Sequence, residues 1–148
     1  MPDPSVAWAV RSAWAVRSAR KGMPMPSAEQ VVRDFCAAAS KRDPEVLRAF
    51  FSDDVVYHNI PMAPAEGIEA TMAVIDMFLG MCDALEFQVH HLASDGETVL
   101  TERSDVFTIK GKSAPLPVMG AFHVADGKIT AWRDYFDMAQ VTAMFEEG

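Results

Sequence analysis

Asp95-Gly96-Glu97-Thr98-Val99-Leu100-Thr101-Glu102-Arg103-Ser104-Asp105-Val106-Phe107-Thr108-Ile109-Lys110-Gly111 is the stretch on which the fold turns. Two turn dipeptides, Asp95-Gly96 and Lys110-Gly111, bracket a run that alternates in polarity, which predicts a strand over 98–109 joined to its neighbours by tight hairpins. The same punctuation continues outward. A third dipeptide, Asp126-Gly127, separates runs at 115–124 and 128–136, and a further run covers 86–93. Four strands linked in this way read as an antiparallel meander.

The residues before Gly80 follow a helical period instead. Ser27-Ala28-Glu29-Gln30 has capping-box spacing, and Val31, Val32, Phe35 and Ala39 recur at helical intervals. Asp43-Pro44-Glu45 offers an N-cap, a first-turn proline and a first-turn acid ahead of Val46, Leu47 and Phe50. Val55 to Ile60 is β-branched and aromatic, a strand that Pro61 and Pro64 should end before any further pairing. Ile68, Met72, Ile75, Phe78 and Leu79 mark a third helix entered from Gly67. Met138, Val141 and Phe145 share one side of a closing helix over about 137–145. Helices first and a sheet afterwards make an α+β domain with the helices on one face of the sheet.

The 148 residues suit one domain, placed at 27–148. Ahead of it Ala7-Trp8-Ala9-Val10-Arg11-Ser12 is repeated as residues 13–18, followed by Arg20 and Lys21. No domain is built from such a segment, so 1–26 is expected to be a disordered extension, with an alternative translation start at Met23 or Met25. Its arginines interrupt every apolar run well short of a signal core or a span, which argues against secretion and stable membrane insertion. A net charge of −8 is the wrong sign for nucleic acid. Cys36 and Cys82 read as two reduced thiols in a cytoplasmic protein.

Three strands place polar residues on an apolar face, because residues i and i+2 point the same way. Tyr57 and Asn59 share a face with Val55, Arg103 and Asp105 share one with Phe107 and Ile109, and Asp134 stands between Trp132 and Phe136. Buried charge is costly unless paired, so one cavity holding Arg103, Asp105 and Asp134 together costs less than burying any of them alone. The competing reading makes Arg103 and Asp105 a solvated cross-strand pair and leaves Tyr57 and Asn59 at a strand edge. No metal or cofactor is expected. His90 and His91 should point to opposite faces, His58 and His123 lie far apart in sequence, and no nucleophile elbow, phosphate loop or dinucleotide fingerprint is present. The ten methionines read mostly as core filler. Met81, Leu85, Leu116, Val118, Trp132 and Phe136, with Phe87 and Phe122, are candidates to line a large apolar pocket.

Tyr57-x-Asn59, Arg103-x-Asp105 and Trp132-Arg133-Asp134-Tyr135-Phe136-Asp137 resemble the signature of the limonene-1,2-epoxide hydrolases, over about 27–145. The resemblance implies a cone of the nuclear transport factor 2 type: a curved, mixed, mostly antiparallel sheet with three to four helices on its concave side. It also implies a homodimer that adds water, without cofactors, to a hydrophobic epoxide of terpene, fatty or sterol type, giving a vicinal diol. In that scheme Asp134 takes a proton from a water held also by Tyr57 and Asn59, Asp105 protonates the epoxide oxygen, and Arg103 bridges the two acids. The alternatives are an isomerase or cyclase of the ketosteroid isomerase or polyketide cyclase kind, and a lipid-binding module, which an outward-facing Arg103 would favour.

Overall fold

Ser27 accepts the Gln30 backbone N–H on its hydroxyl (3.1 Å) and starts helix α1, Ala28–Ala39. Only half of the capping box forms, because the Gln30 side-chain amide turns forward to Asp34 (2.8 Å). α1 buries Val31, Val32, Phe35 and Ala39, the stripe its spacing predicts. Helix α2, Pro44–Arg48, is capped by the Asp43 carboxylate on the Glu45 N–H (3.0 Å). Helix α3, Ile68–Gly80, follows Gly67 and turns Met72, Ile75 and Leu79 inward. Arg42 then ties down its C-terminal end, donating to the carbonyls of Leu79 (2.7 Å), Cys82 (2.6 Å) and Asp83 (2.7 Å). Helix α4, Met138–Glu146, closes the chain's order of elements. The structure, a computed structural model, describes residues 25–146. The repeat at 7–18, and the expected disorder of the segment that holds it, lie outside these residues.

Six strands form one curved mixed sheet in the order β2-β1-β6-β5-β4-β3. They are β1 Phe51–Asn59, β2 Ala65–Glu66, β3 Ala84–Asp95, β4 Thr98–Ile109, β5 Lys112–Ala125 and β6 Lys128–Tyr135. β1 runs parallel to β6, and every other pair is antiparallel. Lys110-Gly111 (φ 50° and 79°) and Asp126-Gly127 (φ 51° and 74°) make the tight turns that the meander predicts. Pro115 and Pro117 fit inside β5 because β6 pairs with β5 only from Met119 onward, so their missing N–H groups interrupt no ladder.

Three expectations need correction. The prolines after β1 do not stop pairing, since Ala65 and Glu66 return antiparallel to Tyr57 and Val56. His90 and His91 do not face opposite ways. The β3–β4 register slips between Val89 and His91, and this bulge turns both rings outward, His90 to Ser104 (2.8 Å) and His91 to Glu102 (2.7 Å). On α4, Val141 is buried and Met144 and Phe145 pack on the core, whereas Met138 is exposed.

α1 lies across the concave face of β3, β4, β5 and β6. Phe35 is its wedge, edge-on to Phe50, Phe51, Phe87, Phe122 and Trp132 with centroids 5.0 to 6.3 Å away. The indole of Trp132 in turn stacks on Tyr57 (4.0 Å) and Phe122 (5.6 Å). Among the described residues no helix is long and apolar enough to cross a membrane. Phe35→Ala should destabilise the domain by about 3–5 kcal/mol, because a buried ring is lost and five others cannot close the gap. Urea denaturation followed by circular dichroism measures this, and a loss below about 1 kcal/mol would contradict the wedge.

Candidate active site

Strand alternation aims Thr101, Arg103, Asp105 and Phe107 of β4 into the cone, with Tyr57 and Asn59 of β1 and Trp132 and Asp134 of β6. Sheet register then brings these sets together. The parallel β1–β6 pairing sets Tyr57 beside Trp132 and Asn59 beside Asp134. The antiparallel ladders align Thr101, Gly120 and Asp134 across β4, β5 and β6. Two strand spacings separate β4 from β6, about 10 Å, so a long side chain on one can meet a short one on the other only if nothing stands between. Gly120 leaves that space empty. A Cβ there would come within 2.4 Å of Arg103 Nη1, 2.7 Å of Thr101 Oγ1 and 2.9 Å of Asp134 Oδ1.

Arg103 therefore reaches both acids. Its Nε and Nη2 donate to the two oxygens of Asp105 at 2.9 Å each. Nη1 and Nη2 donate to Asp134 Oδ1 (3.2 Å) and Oδ2 (2.9 Å), and Nη1 also donates to Thr101 Oγ1 (3.1 Å). A guanidinium has five N–H groups, and all five are used. The cation also lies over the Phe87 ring, 4.8 Å from its centroid. Arg103 is 1% exposed, Asp105 4% and Asp134 3%, so the solvated cross-strand reading fails. Trp132 Nε1 donates to Asp134 Oδ1 (2.7 Å), and the Tyr57 hydroxyl donates to Asn59 Oδ1 (3.0 Å).

Burial pushes Asp105 up to about 6, against the pull of Arg103 and with some help from Asp134. Burial opposes the charge on Arg103, but Asp134 and Asp105 outweigh it and hold the guanidinium well above its ordinary value. Burial, then Asp134, keeps the Tyr57 phenol well above its usual range. The site thus holds a permanent cation, a neutral phenol and two acids, of which Asp105 retains its proton more readily than an exposed aspartate.

An apolar cavity opens beside Asp105, Asp134, Tyr57 and Asn59. Leu85, Leu116, Val118, Trp132 and Phe136 line it as expected, and so does Phe87. Met81 does not. It follows the last turn of α3, where the inward stripe passes from Leu79 to Cys82, and the residue lies 40% exposed. Phe122 packs beneath the site in the core, and Met77 and Met119 are exposed rather than core filler. Spacing had not singled out Thr101, Gly120 or the indole N–H of Trp132. Thr101 precedes Arg103 by two residues on the same face, and Gly120 interrupts a strand interior, so both signals were present. Among the described residues no group of three or more His, Cys, Asp or Glu side chains is placed to hold a metal ion.

Residues 26–146 match the model of the limonene-1,2-epoxide hydrolase catalytic domain. Epoxide hydrolase EphG of Mycobacterium tuberculosis (strain ATCC 25618 / H37Rv) is 36% identical over 107 residues, 72% of this chain and 71% of that protein. The solved structure of an LEH-like epoxide hydrolase from M. tuberculosis superposes with a TM-score of 0.70 at 33% identity, covering 82% of this chain and 90% of that one. A protein of ketosteroid isomerase-like fold from Catenulispora acidiphila DSM 44928 also superposes, at a TM-score of 0.70 and 21% identity over 78% of this chain and 92% of that one. That likeness extends to the fold alone.

Gly120→Ala should cost about 3–5 kcal/mol, since the new methyl must displace Arg103 from its partners. Gly80→Ala, where an added Cβ meets nothing within 4 Å, should be neutral or stabilise by up to about 1 kcal/mol. Chemical denaturation of both variants checks the contrast, and equal stabilities would refute the close approach at Gly120.

Proposed function

The chain belongs to the limonene-1,2-epoxide hydrolase family and is an epoxide hydrolase, and from that premise we propose that it opens a hydrophobic epoxide of terpene, fatty or sterol type in one acid–base step. The observation that carries this reading is the buried Arg103 fork, with Asp105 on one edge and Asp134 on the other. Because every Arg103 N–H is engaged, the guanidinium orients the acids and has no hydrogen left for the substrate.

Asp134 is the base and Asp105 the acid. Asp134 Oδ1 already accepts from Arg103 and Trp132, whereas Oδ2 accepts only from Arg103, so Oδ2 keeps a lone pair free to take a proton. The Tyr57 hydroxyl has committed its hydrogen to Asn59, so toward a water the tyrosine accepts and the Asn59 amide donates. Water held there loses a proton to Asp134 as its oxygen bonds to an epoxide carbon. The ring C–O bond on the far side of that same carbon breaks, and the electron pair it leaves on the ring oxygen takes the proton of Asp105. The diol leaves with Asp134 protonated and Asp105 ionised, and exchange with solvent resets the pair. Burial, which favours the neutral form of Asp105, is what makes it an acid at working pH.

The apolar walls suit a hydrocarbon-rich substrate. Room of about 60 Å³ remains among the lining side chains, enough for a few waters, so a substrate must displace lining groups to enter, and Met144 and Phe145 of α4 line the cavity. Two buried, unpaired cysteines suit a reducing, cytoplasmic setting.

Hydrolysis of a panel of terpene, fatty and sterol epoxides tests the reading, with diol formation from at least one member expected and no turnover of any refuting it. Asp105→Asn and Asp134→Asn should each lower kcat by roughly 10²–10⁴-fold while leaving circular dichroism unchanged. The pH profile follows from the raised carboxyl: kcat/KM should fall on the alkaline side with a midpoint about 6, as Asp105 loses the proton it must donate. A rate still climbing through that range would exclude Asp105 as the acid.

A further inference from the structure

We propose that Thr101 is a positioning residue: its hydroxyl oxygen takes the one Arg103 hydrogen that neither carboxylate reaches, and so fixes how the guanidinium divides itself between Asp105 and Asp134. This rests on the proposed acid and base roles of those two residues. The planar fork gives Asp105 one edge and Asp134 another. The remaining Nη1 hydrogen points back along β4 to Thr101 Oγ1 at 3.1 Å. Thr101 is 1% exposed, so no water stands ready to replace it. Its β-branched side chain is stiff about χ1, which holds the acceptor still. Across the ladder Gly120 puts no side chain in competition for the same space.

Without that acceptor the fifth N–H would be buried and bare, a costly state that the fork can escape by tilting. The other acceptor of Nη1 is Asp134 Oδ1, already bonded at 3.2 Å. A tilt toward it draws Nε and Nη2 away from Asp105, whose proton is then held more tightly because Arg103 is the group that counters its burial. The titratable groups facing Asp105 are Arg103 on β4, Asp134 on β6, Tyr57 on β1 and Cys36 on α1. Burial holds the Tyr57 phenol well above its usual range and pushes the Cys36 thiol up to about 12, so neither changes charge where Asp105 does.

Thr101→Val keeps the volume and removes the acceptor, whereas Thr101→Ser keeps the acceptor. Carboxyl carbon-13 NMR of Asp105 in the full chain should show a midpoint above the native value of about 6 in the Val variant, returning toward native in the Ser variant. On an epoxide that the native enzyme opens, the Val variant should lose roughly tenfold in kcat at unchanged KM, with Ser restoring most of it. An Asp105 midpoint that does not move in the Val variant, or that moves as far with Ser as with Val, overturns the assignment. If the Val variant does not fold, Thr101→Ala takes its place with the same expectation. The titration needs no turnover, so a chain that opens no epoxide would defeat the proposed reaction while the NMR result still decides the role of Thr101.

Discussion

A guanidinium and two carboxylates taken out of water together cost several kcal/mol per ion unless their geometry returns the loss. Here it does so through five charge-assisted hydrogen bonds between residues that are each 4% exposed or less. That constraint reaches into the backbone. Arg103 can span β4 to β6 only because β5 presents Gly120 between them, and Asp134 can receive it only because β6 lies beside β5 and not at an edge. The strand order and one missing side chain are thus part of the ion pair.

The same network makes the two acids unlike each other. Two buried carboxylates around one cation leave a surplus negative charge on the site. Burial raises the Asp105 carboxyl to about 6. Asp134 has the further indole N–H of Trp132, a donor that Asp105 lacks. Two residues of one type thus sit in different environments.

Core and site are also one body. Trp132 bonds Asp134 at its indole nitrogen, stacks Tyr57 on one side, and meets the edge of Phe35 from α1. Phe87, another partner of Phe35, lies under the guanidinium. A helix whose apolar stripe looks like ordinary packing therefore packs on the ring that bonds Asp134.

Alternation within a strand is local, and so the inward faces were legible: Tyr57 with Asn59, Arg103 with Asp105, and Asp134 between aromatic neighbours follow from a two-residue period. Helix caps at Ser27 and Asp43 and the Lys110-Gly111 and Asp126-Gly127 turns were readable for the same reason, since each depends on two or three adjacent residues. Which strands become neighbours is not local. Only the parallel joining of β1 to β6 sets Asn59 beside Asp134, and only the β4–β5–β6 register puts Gly120 under Arg103. The bulge at His90, which breaks the period, and the outward turn of Met81 past the end of α3 lay equally beyond reach. Periodicity dictates the face a side chain takes, and tertiary pairing alone determines what it meets there.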